Sequence, residues 1–101
     1  MLVQFAIFPT GGSESVSGEV SKVIDIIDKS GLAYKLSAMS TVIEGEWDEI
    51  MPVINQCRLT LKKNNKRVYM VLTMDDREGA QNRLEGKVRS IESKLKRDIN
   101  K

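Results

Sequence analysis

The chain has 101 residues, near the commonest size of a single domain, and is 41% apolar and 30% charged, a globular rather than a disordered or fibrous balance. It contains no histidine and a single cysteine, Cys57, which excludes a Ser-His-Asp triad, a Cys-His dyad, every His-based zinc site and any internal disulfide. The net charge of +2 is too small to argue for nucleic acid.

No apolar run approaches the roughly 20 residues that a bilayer-spanning helix needs. The opening Met1-Leu2-Val3-Gln4-Phe5 lacks the basic start and small-residue cleavage site of a secretory leader. One cytosolic domain over residues 1–101 is expected. Charge is uneven along it. Residues 1–76 hold 8 of the 16 bases and 10 of the 14 acids, net −2, and residues 77–101 hold the rest, net +4. In that tail the signs alternate through Arg83, Glu85, Lys87, Arg89, Glu92 and Lys94, the pattern of a solvated helix face.

Leu2–Phe8 is β-rich, with Val3, Phe5 and Ile7 directed one way and Leu2, Gln4, Ala6 and Phe8 the other. Pro9-Thr10-Gly11-Gly12-Ser13 breaks the strand. Val16, Val20, Val23, Ile24 and Ile27 then form one stripe of a helix. Ser13 or Ser15 can cap its start, and Gly31 suits the left-handed position after its end. Two glycines before a helix can also cradle an anion, but neither phosphate-loop glycine pattern is present, and a turn explains them.

Ala33–Ala38 and Thr41–Glu44 read as two short strands joined tightly at Met39-Ser40. Trp47, Ile50, Ile54, Cys57 and Leu61 recur at intervals of 3, 4, 3 and 4, a second helix. Pro52 interrupts it and is tolerated only near the first turn. Arg67–Met74 is a fourth strand, closed by Asp75-Asp76-Arg77-Glu78-Gly79, and Leu84, Val88, Ile91 and Leu95 mark a third helix with a narrow stripe.

The order is β-α-β-β-α-β plus a C-terminal helix. The fold class is therefore α+β: a ferredoxin-like four-stranded antiparallel sheet with an extra helix. Strands one and four are largely apolar on both faces. Two helices cover only one face, so the second is expected to meet another copy of the chain, with the third helix covering an edge or joining that interface.

Acidic residues crowd the end of strand three. Asp48 and Glu49 oppose the dipole of the second helix. Glu44, beside Gly45, is placed to turn into a cleft and accept hydrogen bonds from a cationic or amino-bearing ligand, and Asp75 is a weaker candidate for the same role. Trp47, between a glycine and acids, has the best claim to exposure and ring stacking. Phe8, Met39, Met51, Met70, Met74 and Tyr69 form a soft apolar set that is mostly core, as is Cys57.

The run Ser40-Thr41-Val42-Ile43-Glu44-Gly45-Glu46-Trp47-Asp48-Glu49-Ile50-Met51 resembles the signature of the small thiamine-binding, YkoF-like family. Phe8-Pro9 with Gly12 and Ser15-Val16, Ser30-Gly31-Leu32 with Tyr34, and Asp75-Asp76-Arg77 extend the resemblance over nearly the whole chain. Where the family usually has glycine before the threonine, this chain has Ser40. The resemblance implies a ferredoxin-like fold, homodimers or homotetramers through the sheet, no catalysis and no cofactor or metal. It also implies a pocket for thiamine or its hydroxymethylpyrimidine. An aminopyrimidine needs apolar walls and a few convergent polar groups. Thr41 can supply a hydroxyl, Glu44 a carboxylate, and Phe8, Met39 or Trp47 a wall.

Other functions fit the element order less well. A structural or regulatory oligomer that binds another small molecule would also bury the second face. An acylphosphatase-like enzyme needs a base near its phosphate loop, and residues 9–15 contain no Arg or Lys. An RNA-recognition module needs strand aromatics in a basic-glycine-aromatic pattern that is absent. No membrane partner is expected.

Overall fold

A computed structural model describes residues 1–10, 17–79 and 81–100. The elements are β1 (Leu2–Pro9), α1 (Ser17–Lys29), β2 (Ala33–Leu36), β3 (Thr41–Glu44), α2 (Trp47–Lys62), β4 (Val68–Asp75) and α3 (Arg83–Leu95). The sheet is antiparallel in the order β2-β3-β1-β4, the ferredoxin-like α+β arrangement. The proposed caps Ser13 and Ser15, the stripe residue Val16 and the Gly11-Gly12 pair lie outside the described residues.

Strand parity builds the core. Val3, Phe5 and Ile7 are buried against Val23 and Ile27 of α1 and Ile50, Ile54, Cys57 and Leu61 of α2, with Ile43 between them. The 4, 3 and 4 spacing from Ile50 to Leu61 is the helical stripe that the sheet needs, and Trp47, the first member expected of that stripe, is left exposed at 52%. Gly31 ends α1 at φ +79°, a left-handed position that Gly enters without steric cost. Glu49 closes half of a capping box on α2, its Oε1 accepting from the Glu46 N–H at 3.0 Å. Pro52 is not confined to the first turn. It sits at the sixth helical residue, exposed, and the helix runs through it at the loss of one hydrogen bond to the Asp48 carbonyl.

The second face is shared rather than left whole for another chain. α3 lies on its β2–β3 half. Lys35 pairs with Glu85 at 3.2 Å. The β1–β4 half stays open, with Phe8, Tyr69 and Val71 exposed and the Phe8 and Tyr69 rings 5.6 Å apart. Among the described residues, no helix is long and apolar enough to cross a membrane.

Candidate functional site

β1 has eight residues and β3 four. The β1–β3 ladder runs from Leu2↔Glu44 to Phe5↔Thr41 and stops, because the chain turns at the tip of the β2–β3 hairpin. β1 continues against β4 as far as Pro9↔Val68. A cleft of about 280 Å³ opens where β3 is missing. Its floor is Val20, Val23 and Ile24 of α1, and its wall is β1 from Phe5 to Phe8. Its rim is the hairpin, from Leu36 through Ser37, Met39 and Ser40 to Thr41.

The rim is tied by serines. Ser37 N–H donates to the Ser40 carbonyl at 2.8 Å, and Ser40 N–H donates to Ser37 Oγ at 3.2 Å. The tip is therefore Ala38-Met39, one residue earlier than the Met39-Ser40 connection expected from the sequence. Met39 stands 88% exposed over the opening. Gln4 Nε2 donates to Ser40 Oγ at 2.9 Å, which braces the hairpin against β1. Thr41 is 5% exposed and lines the cleft. Among the described residues, the lining is apolar with three hydroxyls and carries no charged side chain.

The six residues singled out from the sequence fall into two groups. Phe8, Met39 and Thr41 meet at the cleft. Glu44, Trp47 and Asp75 lie at the other end of β3, about 10 Å along the strand at some 3.3 Å per residue. Glu44 also points from the opposite face to Thr41, since side chains alternate along a strand.

Glu44 serves α3. The N-cap residue of that helix, Asn82, is left-handed at φ 56° and gives no side-chain cap. The Glu44 carboxylate reaches up from the sheet instead, Oε2 accepting from the Arg83 N–H at 2.8 Å and Oε1 from the Leu84 N–H at 3.2 Å. A carboxylate there also suits the positive end of the helix dipole. Asp75 pairs with the Arg83 guanidinium, whose hydrogen bond holds the Asp75 carboxyl below its ordinary pKa. Lys35 and Arg89 do the same to Glu85, the Lys35 hydrogen bond having the larger effect. Cys57 is buried with its thiol toward the Val23 carbonyl at 3.8 Å, and burial pushes its pKa up to about 11.

The cleft residues that sequence reasoning did not reach are the α1 floor, Leu36 and the rim serines. One signal for them was present: a first strand expected over seven residues against a third of four leaves an unpaired stretch of β1.

The sequence pattern of the family described as thiamine-binding protein matches residues 3–92. A UPF0045 protein of Methanocaldococcus jannaschii is 33% identical over 91 residues, which cover 90% of this chain and 91% of that one. A UPF0045 protein of Mycobacterium tuberculosis is 35% identical over 98 residues, 96% of each chain. The crystal structure of the M. jannaschii protein, described as hypothetical, matches with a TM-score of 0.80 over 89% of this chain and 93% of that one. A Thermotoga maritima structure, 24% identical, matches with a TM-score of 0.78 over 89% and 96% of the two chains, and shows the same fold.

Proposed function

Because the chain belongs to the thiamine-binding protein family, we propose that it binds thiamine, or the hydroxymethylpyrimidine half of it, in the cleft at the β2–β3 hairpin, as a cytosolic protein that catalyses no reaction. The cleft carries this reading: about 280 Å³, at the small end of ligand pockets, with apolar walls and three hydroxyls. That suits a small flat heterocycle. With no charge among the described lining residues, it favours the neutral pyrimidine over the thiazolium, which would point outward to water. The name of the T. maritima structure, which suggests a role in thiamine biosynthesis or salvage, supports the same ligand class.

The protein acts as a homodimer or homotetramer in this proposal. Support comes from the open β1–β4 half-face, where Phe8, Tyr69 and Val71 form an apolar patch of the kind a monomer seldom leaves in water. The same patch would serve a structural or regulatory oligomer that binds another small molecule, and the ligand titration separates the two. Calorimetric titration should give heat with thiamine and with 4-amino-5-hydroxymethyl-2-methylpyrimidine. No heat with either, or with the thiamine phosphates, refutes the ligand. Sedimentation should show a dimer or tetramer, and a lone protomer at micromolar concentration refutes the assembly.

A further inference from the structure

The cleft wall contains a polar feature that no side chain reveals. In an antiparallel ladder, residues that exchange both hydrogen bonds alternate with residues that exchange none. Met1 and Gly45 exchange both, the Met1 amine donating to the Gly45 carbonyl at 2.7 Å and the Gly45 N–H to the Met1 carbonyl at 3.1 Å. Counting on by two, Val3–Ile43 and Phe5–Thr41 are the next such pairs, and Ile7 would face Met39. On the other side, the Thr10 N–H donates to the Arg67 carbonyl at 3.1 Å, so the even residues of β1 bond β4, Phe8 with Tyr69 and Ala6 with Val71.

Ile7 therefore turns its N–H and its C=O away from β4, toward the place of Met39. The chain has already turned there, and β3 begins at Thr41. Among the described residues, neither main-chain group of Ile7 has a hydrogen-bond partner, although the residue is only 7% exposed. Buried backbone groups are nearly always paired. Ile7 lines the cleft, so its two unpaired main-chain groups face the space that a ligand would enter.

Resting on the ligand class proposed above, we propose that the Ile7 main chain reads the edge of the bound pyrimidine. A ring nitrogen beside an exocyclic amine presents an acceptor and a donor side by side. The Ile7 N–H donates to the ring nitrogen, and the amine donates to the Ile7 carbonyl, so that the heterocycle takes the place of the strand residue that β3 lacks. An added peptide strand suits this edge poorly. The gap is one residue wide, closed on one side by the Phe5–Thr41 pair and on the other by Pro9, which has no N–H to give.

The test is amide NMR and hydrogen exchange on the full chain, run beside the calorimetry. In the free protein, the Ile7 amide exchanges faster than those of Ala6 and Phe8. With 4-amino-5-hydroxymethyl-2-methylpyrimidine, it moves downfield and its exchange slows. The analogue with methyl in place of the amine binds about tenfold or more weakly, because it leaves the Ile7 carbonyl buried and unpaired. Binding heat with an Ile7 amide that neither moves nor slows overturns this inference and leaves the ligand class standing. An Ile7 amide as protected as Ala6 and Phe8 in the free protein also overturns it. No heat with thiamine or the pyrimidine overturns both.

Discussion

Glu44→Ala separates two roles that a carboxylate at a strand end could have. In the structure, the side chain accepts two backbone hydrogen bonds, at 2.8 and 3.2 Å, from the first turn of α3. α3 has no fully buried residue. Its other charged ties, Arg83–Asp75 and Lys35–Glu85, are solvent-exposed pairs of the kind that contributes little. Removing a helix cap costs about 0.5–2 kcal/mol, and hydrogen bonds to a charged acceptor stand at the upper end of the hydrogen-bond range. About 2 kcal/mol is therefore expected for Glu44→Ala, concentrated on the docking of α3. Since 1.36 kcal/mol is tenfold in an equilibrium, amide protection along α3 should fall about 30-fold, while that of β1 and α2 holds. Glu44→Gln, which keeps one acceptor, should fall between. The cleft lies at the far end of β3, so thiamine affinity should change less than about twofold, a shift far below the tenfold that marks one lost interaction. Unchanged α3 protection would refute the capping role. Lost binding with α3 intact would put the ligand at Glu44 instead of the hairpin.

Three further outcomes follow from the packing. Among the described residues, no hydrogen bond uses the Thr41 hydroxyl, in a residue 5% exposed. The hydroxyl faces the cleft, so Thr41→Val should move the urea midpoint by less than about 0.5 kcal/mol in stability while weakening pyrimidine binding about fivefold; a loss above about 1 kcal/mol would show a partner for the hydroxyl. Ile50 is fully buried in the α2–sheet core, and Ile50→Ala should cost about 2–5 kcal/mol in urea or thermal unfolding; a cost below about 1 kcal/mol would contradict that packing. Cys57 has its pKa raised from 9.0 to about 11, so the folded state holds the proton more tightly than the unfolded one. Its contribution is complete below pH 9.0 and is lost as pH rises through about 11. Denaturant midpoints over that range should fall further in the parent than in Cys57→Ala, and the native thiol should react slowly with alkylating reagents.

Most of the framework was legible in the sequence because period and parity are local. The Val3-Phe5-Ile7 alternation and the 4, 3, 4 spacing from Ile50 to Leu61 each follow from the geometry of a single element, and both stripes are buried as expected. What lay beyond reach depends on pairs distant in sequence. Glu44 sits 39 residues before Arg83, whose N–H it accepts, and nothing near a strand-end glutamate distinguishes a helix cap from a ligand acceptor. Asn82 gave no hint either, since asparagine is a common cap, whereas here its left-handed backbone leaves the capping to Glu44. Parity did carry one unused warning. Thr41 and Glu44 are three apart on a strand, so they cannot share a face.

Both special features of this sheet come from the brevity of β3. Its four residues divide evenly, Thr41 and Ile43 buried toward the helices, Val42 and Glu44 toward α3. Two more residues in β3, with the hairpin moved outward, would pair Ile7 and fill the cleft, and the sheet would gain two hydrogen bonds worth about 0.5–1.5 kcal/mol each. The chain forgoes that gain beside the cleft, and it departs from local pattern also at Pro52 inside α2 and at the left-handed Asn82 before α3. A broken local rule that borders a cleft is a candidate site. On the proposal above, the Ile7–Met39 gap takes the ligand, while Glu44, the more conspicuous side chain, holds the third helix.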